Sequence, residues 1–244
     1  MSASRVIAVT GLKTEARLLA GLGVLALSGG GDAEGLSRVL ESSAGRRTAA
    51  IISYGVAGGL APGLPPGTKL VARAVIDETG ARYPSDAAWS ARLSAALGGA
   101  KEGDIAGVNS PVAHYADKYA LHLKTGALAA DMESHVAARV AAAYGLPFAA
   151  FRVIADPAHR QLPHAAMIAI RPDGSLAIGA ILASLLRDPA QIPQLMRTAR
   201  DARVAFMALF RSRKLLAGAL AVSDFREFLL DVPAEDVFGG PLRV

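Results

Sequence analysis

The sequence predicts an α/β fold built on a mixed, mostly parallel central sheet. Three observations carry that expectation. Short β-branched or apolar runs alternate with helical patterns through most of the 244 residues, glycines and carboxylates gather where those runs end, and the last third turns helical. In chain order, residues 5–10 read as a strand and 14–21 as a helix. Residues 23–27 form a second strand closed by Ser28-Gly29-Gly30-Gly31, and 32–43 are helical. Residues 48–54 are a buried strand running into a glycine loop at 55–59. Residues 68–77 read as strand, and after a loop a helix spans 85–97, with Ser85 as its N-cap. A strand near 105–108, a helix at 116–124 and a short strand at 127–130 follow. A helix at 133–144 stops at Gly145, because glycine readily takes the left-handed backbone of a helix C-terminus. Residues 147–155 are a strand rich in Phe and Val, and everything from 175 onward is helical. With no internal repeat, low-complexity tract or linker, residues 1–244 read as one domain.

Composition narrows the function. At 52% hydrophobic the chain can fill a sizeable core, and with no cysteine it has no disulfide, thiol nucleophile or Cys-ligated metal. The N-terminus lacks the basic-then-apolar layout of a signal peptide. The longest apolar run, residues 174–186, falls short of the ~20 residues a spanning helix needs. A cytoplasmic protein, at most resting on the inner face of the membrane, is expected.

Net charge is +5, and residues 187–222 hold all of the excess: Arg187, Arg197, Arg200, Arg203, Arg211, Arg213 and Lys214 against Asp188 and Asp201. Projected at ~100° per residue, Leu195, Ala199, Ala202, Phe206 and Leu209 share one face, with Arg197, Arg200, Arg203, Arg211 and Lys214 beside it. A basic amphipathic helix suits an anionic membrane surface, and equally a solvated face or an oligomer contact. Nucleic acid is not expected as a partner, since aromatics are 5% of the chain and only Phe206 and Phe210 interrupt the basic stripe.

Ligands of open α/β sheets bind beyond the carboxyl ends of the strands. Glu15, the glycine loop 55–59, Asp131 with Glu133, and Asp156 each follow a predicted strand, so the carboxylates point at one region suited to acid–base chemistry on a polyol or heterocycle. Each also has a structural reading: Glu15 complements a helix dipole, Asp131 caps the following helix, and Asp156 precedes Pro157 in an ordinary turn. Neither glycine cluster fits the dinucleotide fingerprint, because Glu34 and Ala57 stand where it needs glycine. The five histidines show no metal-ligand spacing, and no metal is expected.

Four segments in register resemble the methylthioadenosine/S-adenosylhomocysteine nucleosidases of the nucleoside phosphorylase superfamily. They are VIAVTGLKTEARLL from Val6, GVAGGLA from Gly55, Asp131-Met132-Glu133, and FRVIAD ending at Asp156. The resemblance implies a three-layer phosphorylase/nucleosidase-like fold, no cofactor, and a homo-oligomer. It implies roles as well. Asp156 would protonate N7 of a leaving purine and Glu15 would activate water. Met132 and Glu133 would hold the ribose, while Gly55, Val56, Ala57 and Gly58 would approach ribose or nucleophile. Asp131, Val112 and Phe151 would border the base. Ala155 stands where those nucleosidases have Ser, and Asp131 where they have Glu. Ser53 occupies the place where phosphorylases of the superfamily carry a phosphate-binding Arg, which favours water as nucleophile; inorganic phosphate stays open as co-substrate, with Arg82 or Arg152 to bind it.

The C-terminal third resembles a subgroup, the hopanoid-associated phosphorylases, through RVIADPAHRQLP from Arg152, AIRPDGS from Ala169, the basic helix, and DVFGGPL from Asp236. That resemblance implies release of adenine from adenosylhopane, a lipid-linked nucleoside. A small soluble nucleoside, and a nucleoside-binding protein without turnover, remain the alternatives.

Overall fold

The computed structural model describes residues 5–45 and 47–219. The elements form an α/β architecture in three layers. Strands β1 (Arg5–Thr10), β2 (Leu25–Ser28), β3 (Thr48–Gly59), β4 (Lys69–Ile76), β5 (Arg82–Pro84), β6 (Lys101–Gly107), β7 (Ala129–Asp131) and β8 (Phe148–Asp156) form one mixed sheet. Its order is β2-β1-β3-β7-β6-β4-β5, and β8 pairs with both β3 and β4. The path β3-β7-β6-β4-β8 therefore closes on itself, with β3 parallel to β8 and β4 antiparallel to it. This closure gathers the ends of β3, β7 and β8 at one place.

Period-two alternation in the strands divides the core in two. One face, with Ile51, Phe148, Ala150 and Ile154, packs on α2 (Ala33–Ser43) and α5 (Ser134–Ala143) through Leu36, Leu40, Val136 and Val140. The other, with Ile52, Tyr54, Phe151 and Val153, packs on α3 (Ala87–Leu97) and α8 (Ile192–Ala219) through Trp89, Leu93, Ala205 and Leu209. Between them in the chain lie α1 (Lys13–Leu18), α4 (Tyr115–Thr125), α6 (His164–Met167) and α7 (Ile178–Arg187), with a 3-10 turn at Pro189–Gln191 before α8.

Several expectations need correction. Residues 55–59 are not a loop: β3 continues through them to Gly59, held by β8 on one side and β7 on the other. Asp86, not Ser85, caps α3, its carboxylate accepting from Trp89 N at 2.7 Å. Strand β5 was not foreseen; three residues leave no readable alternation. The buried face of α8 is Asp201, Ala205, Leu209, Ser212 and Leu216; Leu195, Ala202 and Phe206 are half-buried and Ala199 is exposed. The helix has turned to seat small side chains against β8 and α3, with Tyr54 donating its hydroxyl to Leu209 O. The Lys214 side chain and residues 220–244, including the 236–242 motif, lie outside the described residues.

Candidate active site

The ends of β3, β7 and β8 and the segments after β1 and β6 enclose a cavity of about 190 Å³. Glu15, Val56, Ala57, Gly58, Val112, Asp131, Met132, Glu133 and Asp156 all line it. Gly55 lies just behind: a Cβ there would fall 2.6 Å from Arg152 Nη1 and 2.7 Å from Glu15 Oε1, so only glycine lets these groups meet. Phe151 is a correction. It is buried on the α8 side against Tyr54, because it lies one residue out of phase with Arg152 along β8.

Glu15 is fixed by backbone donors. One carboxylate oxygen accepts from Gly11 N and Leu12 N, each at 2.9 Å, and the other from Val56 N at 2.8 Å. Burial pushes its carboxyl above the usual range, opposed by the Arg152 cation and those three donors. The same wall holds a buried charge network. Arg152 Nε lies 2.9 Å from Asp131 Oδ2, and Nη2 lies 3.7 Å from Glu133 Oε2 and donates to Ser53 Oγ at 2.5 Å. Glu133, not Asp131, stands at the N-cap of α5; Asp131 supports the helix start from two residues earlier, its other oxygen accepting from Glu133 N and Ser134 N at 2.9 and 2.7 Å. Three carboxylates thus surround one guanidinium. Burial, with the charges of Asp131 and Glu15, pushes Glu133 up to about 7 against the pull of Arg152.

Asp156 ends β8 beside Gly58, where a Cβ would sit 3.2 Å from its carboxylate. Lys118 of α4 was missed in the sequence. Its side chain is 1% exposed and its ammonium donates to the Asp156 carboxylate, to Arg160 O at 2.9 Å and to Pro157 O at 3.3 Å. All three of its protons are thereby used. Burial raises the Asp156 pKa, and the Lys118 charge and hydrogen bond work against that rise. If Asp156 acts as an acid, activity falls as pH climbs through its pKa. Removing the cation raises that pKa, so Lys118→Met is expected to move the falling limb of the kcat–pH profile to higher pH. An unchanged limb would separate Lys118 from the proton transfer.

The other candidate phosphate-binding cation, Arg82, does not stand free. Arg82 pairs with Asp104 on the sheet edge, at 3.0 and 3.1 Å, away from the cavity. Ser53 is fully buried between Arg152 and Ser134. Opposite the acids, the wall is apolar: Leu162, Ala166, Met167 and Ile170, with Val108, Pro111 and Val112 beside them. Gly29 and Gly31 pack against Glu133 and Met132, where a Cβ would lie 3.1 Å from Glu133 Cγ and 2.8 Å from Met132 Cε respectively.

A fold of this topology with carboxylates at the carboxyl ends of its strands defines a class. The family model of the phosphorylase superfamily matches residues 33–187, and the chain belongs to that superfamily, an enzyme of N-glycosyl bonds. No curated protein sequence matches the chain. Among solved structures it is similar to a mutant of Helicobacter pylori MTAN with 5′-methylthioadenosine in the active site, at 15% identity, covering 89% of this chain and 98% of that one, TM-score 0.61. It is similar also to the 5′-methylthioadenosine/S-adenosylhomocysteine nucleosidase of S. pneumoniae with a transition-state inhibitor, at 17% identity, 87% and 99% coverage, TM-score 0.58. The futalosine hydrolase of Helicobacter pylori stands at 17% identity, 86% and 97% coverage, TM-score 0.58. At these identities the shared feature is the fold.

Proposed function

We propose that this enzyme hydrolyses the N-ribosidic bond of a 5′-substituted adenosine and releases adenine. The observation that carries the reading is the convergence of Glu15, Glu133 and Asp156 on one cavity, the two glutamates buried, Asp156 partly so, and each held differently. Asp156 protonates N7 of the purine, so the base leaves neutral as the C1′–N9 bond breaks. Positive charge then grows on the ribosyl ring, and the carboxylates of Glu133 and Glu15 stabilise it. Glu15 orients the water that attacks C1′ and takes its proton, while Met132 packs on the ribose and Glu133 accepts from its hydroxyls. Lys118 supplies the support for Asp156 that a serine gives in the nucleosidases the sequence resembles. Val108, Pro111 and Val112 border the base.

Water is favoured over phosphate because the two cations lining the cavity, Lys118 and Arg152, are already paired with carboxylates. A phosphate entering there would meet three acids before any free donor.

The proposed 5′ group is a large apolar one, as in adenosylhopane. Support comes from the C-terminal resemblance and from the wall itself. Met167 and Ile170 line the cavity yet are partly exposed, and Ile170 bridges to Leu176. From there Ile178, Leu182 and Leu186 continue outward along α7, 63%, 56% and 84% exposed. An apolar chain leaving the ribose 5′ carbon would find cover along this route. The test is adenine release from adenosylhopane and from 5′-methylthioadenosine, each with and without phosphate. Preference for adenosylhopane, independent of phosphate, is expected. Release from methylthioadenosine alone would remove the lipid substrate, and tight adenine binding with no release from either would indicate a binding protein.

A further inference from the structure

We propose that the outer face of α8 docks the protein on an anionic lipid bilayer, through a groove in which lipid phosphate headgroups bind. The groove, about 470 Å³, lies between the turn at Pro66 and Gly67 and the helix. Arg200, Arg203 and Arg211 line it together with Val204 and Met207. The turn sits hard against the helix: a Cβ on Gly67 would lie 3.0 Å from Val204 Cγ1.

The charge on this face is uncompensated. Among the described residues no acid lies within ion-pair distance of Arg200, Arg203 or Arg211, whereas buried Asp201 turns away and pairs with Arg160 at 2.9 Å. Arg197 extends the stripe towards the helix N-terminus. Apolar side chains are exposed among the arginines: Met196 at 66%, with Val204, Met207 and Phe210 near half. Guanidinium groups bind phosphate through paired N–H donors, and the side chains between them prefer the region just beneath the headgroups. A ligand that satisfies both is an anionic bilayer surface. A second copy of the same face would set arginine against arginine, and no helix among the described residues is long and apolar enough to cross a membrane. The inference uses no part of the catalytic cavity, and its failure would leave the proposed chemistry untouched.

The test is sedimentation of the full chain with vesicles of phosphatidylcholine alone and of equal parts phosphatidylcholine and phosphatidylglycerol. Binding to the anionic vesicles only, reversed by salt, is expected. Arg200→Glu with Arg203→Glu is expected to weaken it about 30-fold or more, from roughly fivefold per basic charge near the surface. The exposed positions should leave the melting temperature and turnover of a soluble nucleoside unchanged, which shows that the variant is folded. Met207→Ser, which keeps every charge, is expected to weaken binding more mildly. Three results would each overturn the proposal: no sedimentation of the wild type with anionic vesicles, equal sedimentation of the double variant, or a change in oligomeric state on charge reversal with vesicle binding intact.

Discussion

Replacing Asp156 by Asn is expected to lower kcat by about 10²–10⁴-fold, the usual contribution of a general acid. The substitution keeps the shape of the side chain and removes only its proton. The amide oxygen still accepts from Lys118, and Gly58 still gives the side chain room, so the fold and the cavity persist. KM is expected to move little, because the lost interaction forms as the C1′–N9 bond breaks rather than on binding. Steady-state kinetics with adenine as the measured product reads this directly. A kcat within a few-fold of wild type would remove Asp156 from its assigned role, whatever the effect on binding.

Arg152→Met is expected to do the greatest damage to stability. Arg152 is fully buried, and its guanidinium is the cation facing Asp131, Glu133 and Glu15. Removing one partner of a buried ion pair costs about 3–5 kcal/mol, because the remaining charge keeps its desolvation penalty. Here three carboxylates lose the same partner. Their folded pKa values, already raised at Glu15 and Glu133, would rise further, and the folded state would bind more protons than the unfolded chain above the ordinary carboxylate range. Stability then falls as pH rises through that window. Urea denaturation should therefore show a larger deficit for the variant at mildly alkaline pH than at mildly acidic pH. A variant as stable as wild type above neutrality would mean the carboxylates are not charged together in the native state.

Much of the site was legible because its parts are local. A carboxylate a few residues past a strand, as at Glu15, or at its end, as at Asp156, declares itself once the strand is read, and β1 and β8 have nearly unbroken apolar runs. The glycines were legible as markers but not as structure. That Gly55–Gly59 belong to β3 depends on pairing with β7 and β8, which are distant in the chain. The same strand closure, β4 against β8 at Lys69–Val71 and Phe151–Val153, has no local signature.

Lys118 was hidden for a more specific reason. On α4 the apolar residues at helical spacing are Tyr115, Tyr119 and Leu123, and periodicity assigns such a stripe to the core. In the structure that stripe is exposed, with the two tyrosine rings stacked 6.2 Å apart, and the lysine between them in sequence is buried. The reward for burying Lys118 is its ion pair with Asp156, and no pattern within the helix records it. Phe151, by contrast, was within reach. Alternation along β8 places Arg152, Ile154 and Asp156 in one phase and Phe151 in the other, so an aromatic beside a functional arginine faces the opposite layer.

The central claim is cleavage of the bond between adenine and ribose, and the most direct measurement is adenine release. Wild-type protein and Asp156→Asn would be incubated in parallel with a 5′-substituted adenosine in phosphate-free buffer, and the base followed by chromatography. The account predicts one adenine and one free ribosyl product per turnover from the wild type, with release from the variant lower by orders of magnitude. Intact nucleoside after prolonged incubation with the wild type, for both adenosylhopane and methylthioadenosine and even when phosphate is added, would contradict it.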